Sequence, residues 1–110
     1  MIYELRRYEC LPGKLPALHE LMKDVAVPVF KKLGMHLVGA WQPVVGDDEA
    51  TVIYILAFES MNERNAKWEA FYADPEWTEK RAAYAKKIGG PVVAKSSNVF
   101  LSPAAYSPLR

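Results

Sequence analysis

The chain opens with a strand pattern. Residues 2–10, IYELRRYEC, are rich in strand formers and carry no helix-period apolar stripe. Alternation puts Ile2, Glu4, Arg6, Tyr8 and Cys10 on one face and Tyr3, Leu5, Arg7 and Glu9 on the other. Pro12 and Gly13 end the segment. The period then changes. Leu15, Leu18, Met22, Val25, Val29 and Leu33 recur at spacings of three and four, which predicts a helix over 15–33 with one buried stripe. Pro16 suits its first turn and Gly34 its end. Pro28 lies inside the stripe. It removes a backbone bond and predicts a kink, or a split into two helices.

Residues 35–46 read as a second strand, with a bulge at Gly39 and an irregular or edge position at Pro43. GDDE at 46–49 is a turn, so the second strand and the third, 50–59, form an antiparallel hairpin. The third strand, ATVIYILAFE, is apolar on both faces and predicts burial on both. Ser60 with Glu63 has capping-box spacing and opens a helix to about Ala73. Asp74 and Pro75 restart the chain as a helix whose one face carries Trp77, Arg81, Tyr84 and Ile88. Gly89, Gly90 and Pro91 end it, a last strand covers 92–101, and a tail with two prolines is expected on the surface or on a partner.

This order predicts one α+β domain over 1–110 of ferredoxin-like βαββαβ topology. The four-stranded antiparallel sheet has its first and third strands central and both helical segments on one face. The helices can cover only half of the third strand, so a second copy of the chain is expected on the other half, as a homodimer.

Composition narrows the functions. The chain has 110 residues, 51% hydrophobic and 25% charged, with a formal net charge of +1. That balance argues against a nucleic-acid or membrane-surface partner. Cys10 stands alone, so no intrachain disulfide forms, and a buried thiol in a reducing compartment is expected. The apolar runs fall short of the ~18 to 20 residues that span a bilayer, and no signal peptide precedes the strand at Ile2. The expected location is cytoplasmic.

Several short segments, in order, resemble NIPSNAP domains. They are Ile2-Tyr3-Glu4-Leu5-Arg6-Arg7-Tyr8, Leu11-Pro12-Gly13-Lys14, His36-Leu37-Val38-Gly39-Ala40-Trp41, Ala57-Phe58-Glu59-Ser60 with Glu63-Arg64, and Asp74-Pro75-Glu76-Trp77. The resemblance implies a dimeric α+β barrel, in which two ferredoxin-like sheets pack face to face. It implies no defined activity. The chain departs from the family at Tyr54, where members often carry histidine, so chemistry that needs an imidazole there is not expected.

The candidate ligand-binding residues are Glu4, Arg6, Tyr8, His36, Trp41 and Tyr54. Glu4, Arg6 and Tyr8 share a strand face. If that face lines the barrel, Arg6 can hold an anionic group and Glu4 can orient it, or the two form a structural ion pair. Tyr54 can donate to a carbonyl, and Trp41 can stack on a ring. His36 lies near a possible pocket mouth. Neither His19 nor His36 has ligand-spaced companions, so no metal site and no cofactor are expected. Trp68, Phe71, Tyr72 and Trp77 read as helix-to-sheet packing or a pocket wall, and Glu59 with Arg64 as a local ion pair. The leading function is a domain that binds a small, partly apolar molecule in or near the dimer barrel. The alternatives are a cofactor-independent oxygenase or isomerase of the same barrel type, and a pure assembly module.

Overall fold

The computed structural model describes residues 1–46 and 50–110. Residues 47–49 of the predicted 46–49 turn therefore lie outside the described residues. The strands are β1 (Ile2–Cys10), β2 (His36–Trp41), β3 (Thr51–Phe58) and β4 (Val93–Leu101). The helices are α1 (Leu15–Leu21), α2 (Val27–Lys32), α3 (Met61–Ala73) and α4 (Pro75–Ile88). The sheet order is β2-β3-β1-β4 and every neighbouring pair is antiparallel, so β1 and β3 are central as the ferredoxin-like topology requires.

The first helical region differs from a uniform α-helix. Met22–Ala26 form a π-helical turn between α1 and α2, and the Val27 N–H bonds the carbonyl five residues back, at Met22. No loop interrupts the path. An α-helix would press the Pro28 ring against the carbonyl of residue 24, and the wider π turn just ahead of the proline relieves that crowding. A π turn also holds one residue more than an α turn, and the buried stripe is wider than predicted, with Met22, Val25 and Val29 buried as expected. Ala26 and Phe30 join Leu18, Met22 and Val29 in the core, while Leu33 is only half-buried.

The second strand is shorter than the predicted 35–46, and Pro43 falls beyond it. The bulge occurs where Gly39 predicted it, with a register shift between Leu37 and Gly39. A side chain at Gly39 would meet the Trp41 ring at 2.7 Å, so the ring lies directly over the glycine. The caps are as the sequence implied. Ser60 Oγ accepts from the Glu63 N–H, and Asp74 accepts from the N–H groups of Glu76 and Trp77.

Val52, Tyr54, Leu56 and Phe58 of β3 face the helices, together with Tyr8 and Cys10 of β1. The opposite sheet face carries Tyr3, Leu5, Ile53, Ile55, Val99 and Leu101. The tail reaches this face: Pro103, Ser107 and Leu109 enclose a cavity of about 310 Å³ with Tyr3, Ile55 and Leu101. Ile53, Ile55 and Val99 remain partly or largely exposed.

The unequal burial of Phe30 and Leu33 is open to test. Phe30→Ala should lower unfolding free energy by about 3–5 kcal/mol in urea titrations, and Leu33→Ala by clearly less. The reverse ranking would place Leu33, not Phe30, in the core.

Candidate functional site

The inward faces of β1, β3 and β4 meet α3 at a single buried carboxylate. Glu4 is fully buried. Arg64 donates to it twice, from Nε to Oε1 at 3.0 Å and from Nη2 to Oε2 at 2.9 Å. Trp68 Nε1 donates to Oε1 at 2.8 Å, Asn98 Nδ2 to Oε2 at 2.8 Å, and Arg6 Nη1 to Oε2 at 2.9 Å. Burial alone pushes the Glu4 pKa up. The hydrogen bonds from Arg64, Asn98 and Trp68 and the charge on Arg6 outweigh that and hold it at about 2. Glu4 is therefore an anion whose acceptor sites are occupied. One carboxylate facing two guanidinium groups leaves the cluster net positive.

Arg6 passes that charge to a cavity. Its guanidinium lies 4.3 Å from the Trp68 ring centroid, a cation–π contact. Its Nε donates to Tyr54 Oη at 2.8 Å, and its Nη2 to Tyr8 Oη at 3.2 Å. The two phenol oxygens are 2.8 Å apart. Burial lowers the Arg6 pKa, but Tyr54, Tyr8 and Glu4 raise it further, so the guanidinium stays charged. Burial and the Tyr8 neighbour hold the Tyr54 pKa well above its usual value, against the opposing pull of Arg6. Tyr54 is thus a neutral phenol at physiological pH.

These three side chains form the polar end of a cavity of about 340 Å³ between the sheet and the helices. Leu18, Met22, Ala26 and Phe30 wall one side; Trp68, Phe71, Tyr72 and Trp77 wall another. The π turn supplies Met22 and Ala26, and α2 supplies Phe30, which packs 5.2 Å from Phe71 and 5.8 Å from Trp68 between ring centroids. Arg81 and Ser96, both exposed, lie on the cavity's outer lining. The lining contains no carboxylate among the described residues.

The sequence candidates divide into two groups. Glu4, Arg6, Tyr8 and Tyr54 come together. His36 and Trp41 do not, because they pair with Ala57 and Ile53 on the opposite sheet face. Alternation leaves open which layer the Glu4, Arg6 and Tyr8 face meets; that face looks at the helices and does not line a face-to-face barrel. Arg64 reaches Glu4 instead of forming the expected local pair with Glu59, whose N–H bonds Glu63. The sequence reading did not single out Arg64, Trp68 or Asn98 as partners of Glu4. Arg64 and Trp68 are four residues apart on one helix face, and Asn98 lies opposite Arg6 in the ladder. A lone inward-facing glutamate needs donors of this kind, and that need was the available signal.

The chain is thus a ferredoxin-like α+β domain with a cleft between its sheet and helix layers. The NIPSNAP family model matches residues 3–108, and the chain belongs to the NIPSNAP family. No curated protein matches it. It resembles a NIPSNAP domain protein of Burkholderia xenovorans, at 29% identity and TM-score 0.81 over 98% of this chain and 99% of that one. A NIPSNAP family protein of Agrobacterium tumefaciens is similar at 28% identity and TM-score 0.82, over 100% and 94%. A proposed antibiotic biosynthesis monooxygenase of Nitrosomonas europaea shares the fold at 12% identity and TM-score 0.63, over 94% and 98%. No described helix is long and apolar enough to cross a membrane.

The carboxylate cluster predicts an acid response. The Glu4 pKa is lowered in the fold, so its stabilisation is complete above its ordinary value near 4.5 and is lost as pH falls to about 2. The loss should be about 3 kcal/mol in urea titrations across that window. Glu4→Gln should be less stable at neutral pH by about 3–5 kcal/mol, since Arg6 and Arg64 lose their anion, and its stability should lack this acid step. An equal acid step in both proteins would remove Glu4 from the account.

Proposed function

We propose that the chain binds a small, partly apolar molecule bearing a carboxylate or carbonyl, in the cleft between its sheet and helices. One observation carries the reading: a largely apolar cavity of about 340 Å³ ends on the Arg6 guanidinium and two phenols. Apolar walls with a few converging polar anchors are typical of small-molecule sites. Glu4 is ionised but saturated by donors, and Tyr54 holds its proton. Neither is suited to take a proton from a substrate near neutral pH. This supports binding over proton-abstracting catalysis, and the open cavity supports binding over assembly alone.

The same reading includes a homodimer, with the uncovered sheet faces packed together. Ile53, Ile55 and Val99 supply the apolar surface, and the NIPSNAP resemblance implies the face-to-face arrangement. In this arrangement the cleft lies on the outer side of each sheet, within one protomer.

Isothermal calorimetry with octanoate and octylammonium tests the binding reading. Octanoate should bind and octylammonium should not. Arg6→Met should lose octanoate while remaining folded, because Arg64, Trp68 and Asn98 still hold Glu4. Equal binding of the two probes would defeat the proposal. For assembly, light scattering should give a dimer mass at micromolar concentration, and Ile55→Asp should shift it to monomer. A monomeric native protein would contradict the packed-face arrangement.

A further inference from the structure

Counting hydrogens at the polar end gives a more specific result, which rests on the cleft reading above. Tyr8 and Tyr54 carry one hydroxyl hydrogen each. Both oxygens already accept from Arg6: Tyr54 from Nε at 2.8 Å, and Tyr8 from Nη2 at 3.2 Å and Nε at 3.4 Å. Their mutual 2.8 Å contact uses one of the two hydrogens, whichever ring donates it. Among the described residues, no other protein acceptor contacts either hydroxyl. One phenolic hydrogen therefore lacks a protein acceptor, at a place where both rings line the cavity.

We propose that the Tyr8–Tyr54 pair presents one interchangeable O–H donor to the ligand, and that the ligand is an aromatic acid or aromatic carbonyl whose oxygen accepts it. If Tyr54 donates to Tyr8, the Tyr8 hydrogen meets the ligand. If Tyr8 donates to Tyr54, the Tyr54 hydrogen does. The Arg6 guanidinium stands behind both oxygens and strengthens either as a donor. The ligand must bring a lone pair, since every charged or polar group at this end donates. The aromatic half of the class comes from the walls, where Phe30, Trp68, Phe71, Tyr72 and Trp77 offer ring faces and edges.

This arrangement predicts unusual mutant behaviour. Removing either hydroxyl also removes the contact that consumed a hydrogen, so the surviving phenol keeps one hydrogen for the ligand. Removing both leaves none. Calorimetry with 2-naphthoate, and with naphthalene as a probe that cannot accept a hydrogen bond from the phenols, separates the cases. Tyr8→Phe and Tyr54→Phe should each weaken naphthoate binding by no more than about threefold. The double variant should weaken it by about 10- to 100-fold, the worth of a hydrogen bond to a charged group. Naphthalene should bind all four proteins alike.

Additive effects of the two single changes would overturn the inference, because the phenols would then act independently. A double variant that binds naphthoate normally would overturn it too. So would parallel loss of naphthalene, since pocket shape would then carry the affinity. Binding of naphthoate with additive phenols leaves the cleft reading standing. Failure of the native protein to bind either probe removes the cleft reading, and this inference with it.

Discussion

A buried carboxylate must be satisfied from every side, and the demands of Glu4 organise this domain. Bringing an isolated anion out of water is costly, and the fold meets that cost with donors from three elements. Arg6 comes from the same strand, Asn98 from β4, and Arg64 and Trp68 from α3. The donors from β4 and α3 tie those elements to β1. The carboxylate thus sets the seat of α3 against the sheet, and that seat sets the width of the cleft beside it. Because two guanidinium groups serve one anion, surplus positive charge remains. Arg6 carries part of that surplus to the cavity wall, where it meets the phenols of Tyr8 and Tyr54.

The second constraint comes from Pro28. A proline in the middle of a helical stripe would break a uniform α-helix, and the chain answers with a π turn just before it. Phe30, in the helix that follows, lies in the core against the aromatic rings of α3. Phe30 supplies part of one wall of the cavity.

Much of this was legible in the sequence. Period-two and helical spacings placed all four strands and the helical regions, because both patterns report directly on which positions are buried. Ser60 and Asp74 gave their caps for the same local reason. Strand alternation correctly grouped Glu4, Arg6 and Tyr8, yet could not say which layer they faced. That choice depends on the partners of Glu4, which lie 60 and more residues away in α3 and β4. Trp41 and His36 lie on the opposite sheet face, and membership of a strand does not reveal that face once a bulge intervenes at Gly39. The π turn was hidden as well, since Pro28 announces a disturbance but not the geometry that resolves it.

The central claim is that the ligand site lies between the sheet and the helices, not on the open sheet face. NMR of protein carrying labelled arginine and tyrosine side chains, titrated with octanoate, tests it directly. The account predicts that the Arg6 Nε and the Tyr8 and Tyr54 ring resonances shift with added ligand, while Tyr3 and Arg7 on the opposite face stay in place. Shifts confined to Tyr3 and Arg7, with Arg6, Tyr8 and Tyr54 unmoved, would place the site on the open face and contradict it.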